Sequence, residues 1–242
     1  MINFLRKEKY DVSDLVEITK ILRSDEGCPW DREQDHKSIR MNFIEEAFEA
    51  CEAIDNDDSV LLLEELGDVL AQVVFHAELE SEAGRFGLND VADGVCKKFI
   101  ERHPHVFGDV SAETSEEVLR NWDDIKRREK KHKTHFSAMD SVARSLPSLM
   151  RAEKLLGKAK KAGLPQKSIE EYAKKISDEL ARGEAMDIGT VLLNTVAISR
   201  LLGQNPEQAL DSKNEKLLRE FKKLEKMDGE LSILLSDFED KL

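Results

Sequence analysis

Two short acidic motifs carry the strongest chemical signal in this sequence: EEAFE at 45–49 and EELGD at 64–68. Within them, Glu46 and Glu49 are three residues apart, as are Glu65 and Asp68. On a helix such residues are neighbours on adjacent turns, so each pair presents two carboxylates together. On helical wheels, Glu46 and Glu49 fall at the edge of the apolar face, Glu46 the closer, with Glu45 and Glu52 rotated farther out. Glu65 and Asp68 take the same angular place on the next helix, with Gln72 one turn on. A short intervening turn makes the helices antiparallel neighbours and brings the pairs together. Two carboxylates ~5 Å apart repel by about 3 kcal/mol at an effective dielectric of ~20. Protons or cations must offset that repulsion. All-oxygen ligation without His or Cys suits a hard cation, Mg²⁺ or Mn²⁺.

Mg²⁺ keeps waters and takes phosphate oxygens in preference to an all-protein cage. Basic side chains are therefore expected from another helix. Lys98 and Arg102, spaced i, i+4, meet that need, Lys as a point charge and Arg as a bidentate fork. An ordinary solvated face explains that pair equally well. No GxxxxGK[ST] loop occurs, which excludes a P-loop NTPase on motif grounds.

Charge along the chain singles out the same region. The 242 residues carry 37 Lys and Arg against 50 Asp and Glu, a net charge of −13. Residues 41–84 contain 13 of those acids and no Lys or Arg, so this stretch equals the net charge of the whole chain. A solvated acidic face is the common reading of such a run. Here, however, the acids alternate with apolar residues at helical spacing.

The elements that must position these groups read as helices throughout. Residues 11–23 form one amphipathic helix, which GCPWD at 27–31 breaks. A second spans 38–54, opened by Ser38, with Phe43, Ala47, Ala50, Cys51 and Ile54 on one stripe. The third, 60–82, is expected to bury Leu62, Leu63, Leu66, Val69, Leu70, Val73, Val74 and Ala77. Gly84 and Gly87 end it, 89–102 form a fourth, and a charged helix around Trp122 covers 115–131. The spacing predicts further helices over 148–162, 169–182, 186–203 and 206–226. Strand alternation is nowhere sustained. The expected fold is an all-α antiparallel helical bundle.

The second half reads as a worn copy of the first. Pro29 pairs with Pro165, Glu49 with Glu179, Gly67 with Gly189 and Lys98 with Lys216, at steadily shrinking offsets. That predicts two tandem units, 1–135 and 136–242.

Beyond the carboxylates, further motifs carry a family resemblance. EEAFE followed by EELGD matches the EExxE…ExxD signature of the all-α nucleoside triphosphate pyrophosphohydrolases. GCPWDREQ (27–34), GRF (84–86), ERHPHVFGD (101–109), NWDDIK (121–126) and RSLPSLMRAEKL (144–155) resemble the MazG family within that group. The resemblance covers essentially the whole chain. It implies Mg²⁺-dependent cleavage of nucleoside triphosphates between the α- and β-phosphates, giving a monophosphate and pyrophosphate, in a homodimer. Carried over residue by residue, it makes Glu46, Glu49, Glu65 and Asp68 the metal ligands and Glu45 an outer-shell base. Lys98 and Arg102 match the phosphate-contacting pair. Trp30, Trp122 and Lys126 match positions that contact the nucleotide, although bundle packing also accounts for the two tryptophans. Aligned on Glu179 and Gly189, the second unit offers Lys175, Ile176, Asp187 and Thr190 where the first has its other acids. That predicts catalysis in 1–135 and a structural, dimerising role for 136–242.

Other classes fit less well. The acidic balance disfavours a nucleic-acid binder, which needs a basic face. Cys28, Cys51 and Cys96 show no CxxC spacing and an odd count, which favours a reducing cytoplasm over a disulfide framework or zinc site. No apolar run reaches the ~20 residues of a membrane helix, and residues 1–10 lack a signal-peptide core. A di-iron bundle needs Glu-x-x-His on core-facing helices. Glu33/His36 and Glu129/His132 have that spacing, but in polar segments. His103 and His105 read as a capped helix end. The non-enzymatic rival is a helical module that binds nucleotide or a partner protein.

Overall fold

A computed structural model describes residues 4–118, 121, 122, 125 and 134–225. Every regular element among them is helical, so the fold is all-α. Two compact units divide the chain, Met1–Lys126 and Arg127–Leu242.

Unit 1 begins with α1 (Val12–Arg23). Asp11 caps it by accepting from the Ser13 and Asp14 amides, and Asp14 returns a bond to the Asp11 amide. The chain then turns sharply into α2 (Pro29–Glu33). Gly27 makes that turn possible: a Cβ there would stand 2.2 Å from the Ile21 carbonyl oxygen and 2.4 Å from that of Leu22. Helices α3 (Arg40–Asp55) and α4 (Ser59–Glu82) follow as an antiparallel hairpin. The turn between them holds Asp57 at φ 53° and Asp58, whose side chain accepts from the Val60 and Leu61 amides and starts α4. Gly84, at φ +68°, ends α4, and α5 (Leu88–Arg102) packs back on it. A single turn, α6 (Pro104–Phe107), follows the His103-Pro104 break.

Unit 2 contains α7 (His135–Asp140), α8 (Ser148–Lys161), α9 (Ile169–Leu180), α10 (Ile188–Leu201) and α11 (Pro206–Glu225). Helices α9 and α10 form its main hairpin, and α8 packs on α10 and α11. Most of the charged helix expected over 115–131, Lys126 included, lies outside the described residues.

Two sequence expectations need correcting. Ser38 does not open α3: Asp35 accepts from the Lys37 and Ser38 amides, a local turn that competes with capping, and α3 starts at Arg40. The expected apolar core of α4 is also only half right. Val74 and Ala77 are buried, but Leu63 is 77% exposed, Leu66 53% and Leu70 36%. Phe43 and Ile54 on α3 are exposed as well. The face of α4 turned into the unit instead buries Glu65 and Glu78. Helical periodicity identifies an apolar stripe but not what covers it. Within one chain, α1, α3 and α5 cover only part of this one.

Candidate metal centre

The α3–α4 hairpin brings three predicted carboxylates together. Oxygens of Glu46, Glu49 and Glu65 all lie within 4.8 Å of one another. Among the described residues this is the one group of three or more side chains arranged to hold a metal ion. The i, i+3 spacing puts Glu46 and Glu49 on one side of α3, and the antiparallel turn sets Glu65 of α4 opposite. Glu65 is buried, Glu46 half-buried and Glu49 exposed.

The cluster is electrostatically unfavourable as it stands. Desolvation pushes the Glu46 carboxyl above the usual glutamate range, followed by the charge of Asp68 and a shared hydrogen bond with Glu49. Glu65 is raised in the same direction, first by desolvation, then by the charges of Glu49 and Asp68. Both shifts say that these side chains hold protons more tightly than free carboxyls do. Among the described residues, no Lys or Arg forms an ion pair with Glu46, Glu49, Glu65 or Asp68. The donor set therefore fits a hard divalent cation in two respects. It is all oxygen, and it gains most from a positive charge at its centre.

The other predicted residues occupy varied positions. Asp68 is exposed and outside the tight trio, although its charge acts on Glu46 and Glu65. Glu45 is exposed beside Glu46. Gln72, one turn beyond Asp68, has a buried Oε1 without a hydrogen-bond partner among the described residues. Lys98 and Arg102 are half-buried on α5, which packs against α4. Trp30 is 59% exposed on α2, and Trp122 is half-buried.

Arg23 is a residue that no sequence spacing announced. From the end of α1 it donates through Nη1 to the carbonyls of Asp31 and Gln34, at 2.6 and 3.1 Å. Its Nε and Nη2 hold Glu82 at 2.7 and 2.8 Å, and its guanidinium lies 5.1 Å over the Phe75 ring. One arginine thus fastens the Trp30 segment to both α1 and α4. Only the exposed carbonyls left by the short α2 hint at such a need.

Unit 2 assembles no comparable cluster among the described residues. Glu179 accepts two bonds from Arg182, at 2.9 and 3.1 Å, and one from the Asp187 amide at 3.2 Å. Asp187, set against Glu65 by sequence alignment, is the N-cap of α10, the part Asp58 plays on α4. Counted from those caps, Asn194 and Ala197 stand where Glu65 and Asp68 do.

Comparison with known proteins agrees with the hairpin motif. The model of the MazG nucleotide pyrophosphohydrolase domain matches residues 34–107, which span α3, α4 and α5. The nucleoside triphosphate pyrophosphohydrolase of Escherichia coli K12 is 39% identical over 230 residues, covering 89% of this chain and 88% of that protein. The nucleoside triphosphate pyrophosphohydrolase/pyrophosphatase MazG of Thermotoga maritima is 40% identical over 222 residues, 88% of this chain and 85% of its own length. With similarity this high along both chains, the protein belongs to the MazG nucleotide pyrophosphohydrolase family of hydrolases.

Proposed function

We propose that this protein hydrolyses nucleoside triphosphates and their deoxy counterparts between the α- and β-phosphates, releasing a nucleoside monophosphate and pyrophosphate. The observation that carries the reading is the hairpin's trio of crowded carboxylates, two of them raised, with no Lys or Arg ion-paired to them among the described residues. Glu46, Glu49, Glu65 and Asp68 would hold Mg²⁺, for which Mn²⁺ is a substitute. When bound, such a cation screens phosphate charge and activates water. Glu45, next to the trio, serves as the outer-shell base that takes the proton of the attacking water. Lys98 and Arg102 hold the polyphosphate and offset charge that builds on the leaving pyrophosphate. Trp30, Trp122 and Lys126 contact the nucleoside.

The partially covered apolar face bears on assembly. Leu63, Leu66 and Leu70 of α4, with Met41, Phe48 and Ile54 of α3, are exposed on one hairpin. Exposed apolar area on that scale is characteristic of an interface, which supports a homodimer. No described helix is long and apolar enough to cross a membrane. The second unit arises from a tandem copy that has lost its carboxylates, and residues 136–242 act structurally while 1–135 carry the chemistry in the cytoplasm.

The test is a panel of ribo- and deoxynucleoside triphosphates with Mg²⁺ and identification of the products, on the wild type and on Asp68→Ala and Glu179→Gln. Monophosphate and pyrophosphate should appear with the wild type and Glu179→Gln, and be lost with Asp68→Ala. Full activity in Asp68→Ala would overturn the ligand assignment. No turnover by the wild type with any nucleotide would favour the non-catalytic binding module.

A further inference from the structure

His36 and His76 are 40 residues apart in sequence, yet their Nδ1 atoms stand 2.8 Å apart. His36 lies in the turn between α2 and α3, and His76 is on α4. Their rings are 6° from parallel with centroids 5.1 Å apart. That separation is the 2.8 Å contact plus the two ring radii, so the rings lie edge to edge in nearly one plane. An in-line N–H···N hydrogen bond has this geometry; a face-to-face stack does not.

The other nitrogen of His36, Nε2, faces Glu80 Oε1 at 2.7 Å. Glu80 also accepts from Arg85, through Nη2 at 2.8 Å and through Nε. An ionised carboxylate only accepts, so His36 Nε2 carries a proton. Two protonation states of the pair then satisfy the structure. With both rings neutral, His76 donates to His36. With one extra proton, His36 donates from both nitrogens and His76 accepts. A second extra proton would set N–H against N–H across the 2.8 Å gap, and the bond would be lost.

The surroundings favour the first two states. Glu80 and Arg85 face His36, and α3 contributes the edge of Phe43, 5.7 Å from His76 between centroids. The nearby charges from α1 and the end of α4, Arg23 and Glu82, satisfy each other. Burial, and then the neighbouring His36, hold His76 below the ordinary histidine range.

Among the described side-chain hydrogen bonds, two links tie the segment from Cys28 to Ile39, which carries Trp30, to α4. One is Arg23, whose guanidinium joins the Asp31 and Gln34 carbonyls to Glu82. The other is the histidine pair. We propose that His36 and His76 are positioning residues that fix the His36 end of the Trp30 segment on α4 through one shared proton, and that a second ring proton loosens that end while Arg23 keeps its hold on Asp31 and Gln34. For catalysis the consequence is a weaker grip on the nucleotide in acid; that part rests on reading Trp30 as a nucleotide contact.

The experiment uses the full chain. Long-range ¹H–¹⁵N spectra of the imidazoles are recorded from pH 5 to 8, with Trp30 emission followed in a Trp122→Phe background. His76 is expected to take up its proton at a lower pH than an ordinary histidine, because burial and the neighbouring His36 disfavour its charge. Trp30 emission should change only when the second proton binds. In His36→Gln the amide still donates to Glu80 and accepts from His76 but adds no charge, so the Trp30 transition should disappear. His76→Gln should behave alike and serves if the first variant fails to fold. Independent titration of the two rings in the ordinary range, or the same Trp30 transition in both Gln variants, would overturn the proposal. KM for the nucleotide should rise several-fold across the transition in wild type and stay flat in His36→Gln. A Trp30 transition without any change in KM would keep the proton latch and overturn Trp30 as a nucleotide contact.

Discussion

Replacing Glu46 by glutamine should stabilise the metal-free protein and remove most of the stabilisation that Mg²⁺ provides. Glu46 lies within 4.8 Å of two other carboxylates. At that separation a pair of unit charges repels by about 1 kcal/mol in a water-like medium and about 3 kcal/mol at an effective dielectric of ~20. Glu46 is half-buried and screened by solvent, so the lower end applies, about 1 kcal/mol. In a chain of this size that corresponds to a Tm higher by roughly 3 °C without metal. The pH dependence supplies the sign. The folded state raises the Glu46 pKa, so it binds the proton more tightly than the unfolded chain does. The group therefore contributes stability in acid that is lost as pH rises through the raised value. The gain from Glu46→Gln should be full at neutral pH and vanish below the ordinary glutamate range. With Mg²⁺ at a hundred times its Kd, the wild type gains about 2.7 kcal/mol. Losing a ligand should weaken the cation by about 100-fold or more, the upper range for loss of an outer-shell partner. At the same concentration the variant then gains only about 0.4 kcal/mol. Thermal melts of both proteins, with Mg²⁺ and with chelator, at neutral pH and near pH 4, test each of these differences. A variant less stable than wild type without metal, or one keeping the full Mg²⁺ shift, would refute the electrostatic reasoning.

Three further outcomes follow from local geometry. Gly27→Ala should destabilise by at least the roughly 1–3 kcal/mol typical of overpacking, because the atoms in its way are the Ile21 and Leu22 backbone carbonyls, and thermal denaturation measures this. Asp58→Ala removes the two bonds that start α4 and should cost about 1 kcal/mol by denaturant unfolding, with Asp58→Asn recovering most of it. Glu80 is held down to about 2, first by its Arg85 hydrogen bond. The stability it contributes is present above the usual glutamate range and lost as pH falls toward 2, so Glu80→Gln should flatten the acid limb of the stability profile.

Much of this architecture was legible because its determinants are local. The Glu46/Glu49 and Glu65/Asp68 spacings fix helix faces, and a three-residue turn leaves α4 little choice but to lie beside α3. Reading stops where local information stops. Leu63 and Leu66 have the periodicity of core residues, and periodicity does not state whether the covering surface belongs to the same chain. Ser38 carries a helix-opening side chain, but Asp35 claims its amide. His36 and His76 meet through the packing of a turn on a helix, and no spacing records a contact across 40 residues. Asp68 matches the motif, yet its burial differs from that of Glu65 because i, i+3 neighbours are 60° apart around the axis.

Within α4 itself, acids at the two ends are treated differently, which distinguishes a cation site from a merely acidic surface. Toward its end, Glu80 is bonded by Arg85 and His36, and Glu82 is held on two atoms by Arg23. Glu80 is accordingly lowered to about 2. Four turns earlier on the same helix, Glu65 is buried among carboxylates and raised. The fold thus supplies basic partners to Glu80 and Glu82, drawn from α1, the α2–α3 turn and the chain beyond α4. Residues 41–84 contain no Lys or Arg, so the hairpin offers its cluster no permanent positive charge of its own. A solvated acidic face would spread its charges outward. This one converges three of them, with Glu65 turned inward and no Lys or Arg among the described residues paired with them, which supports the cation site proposed above.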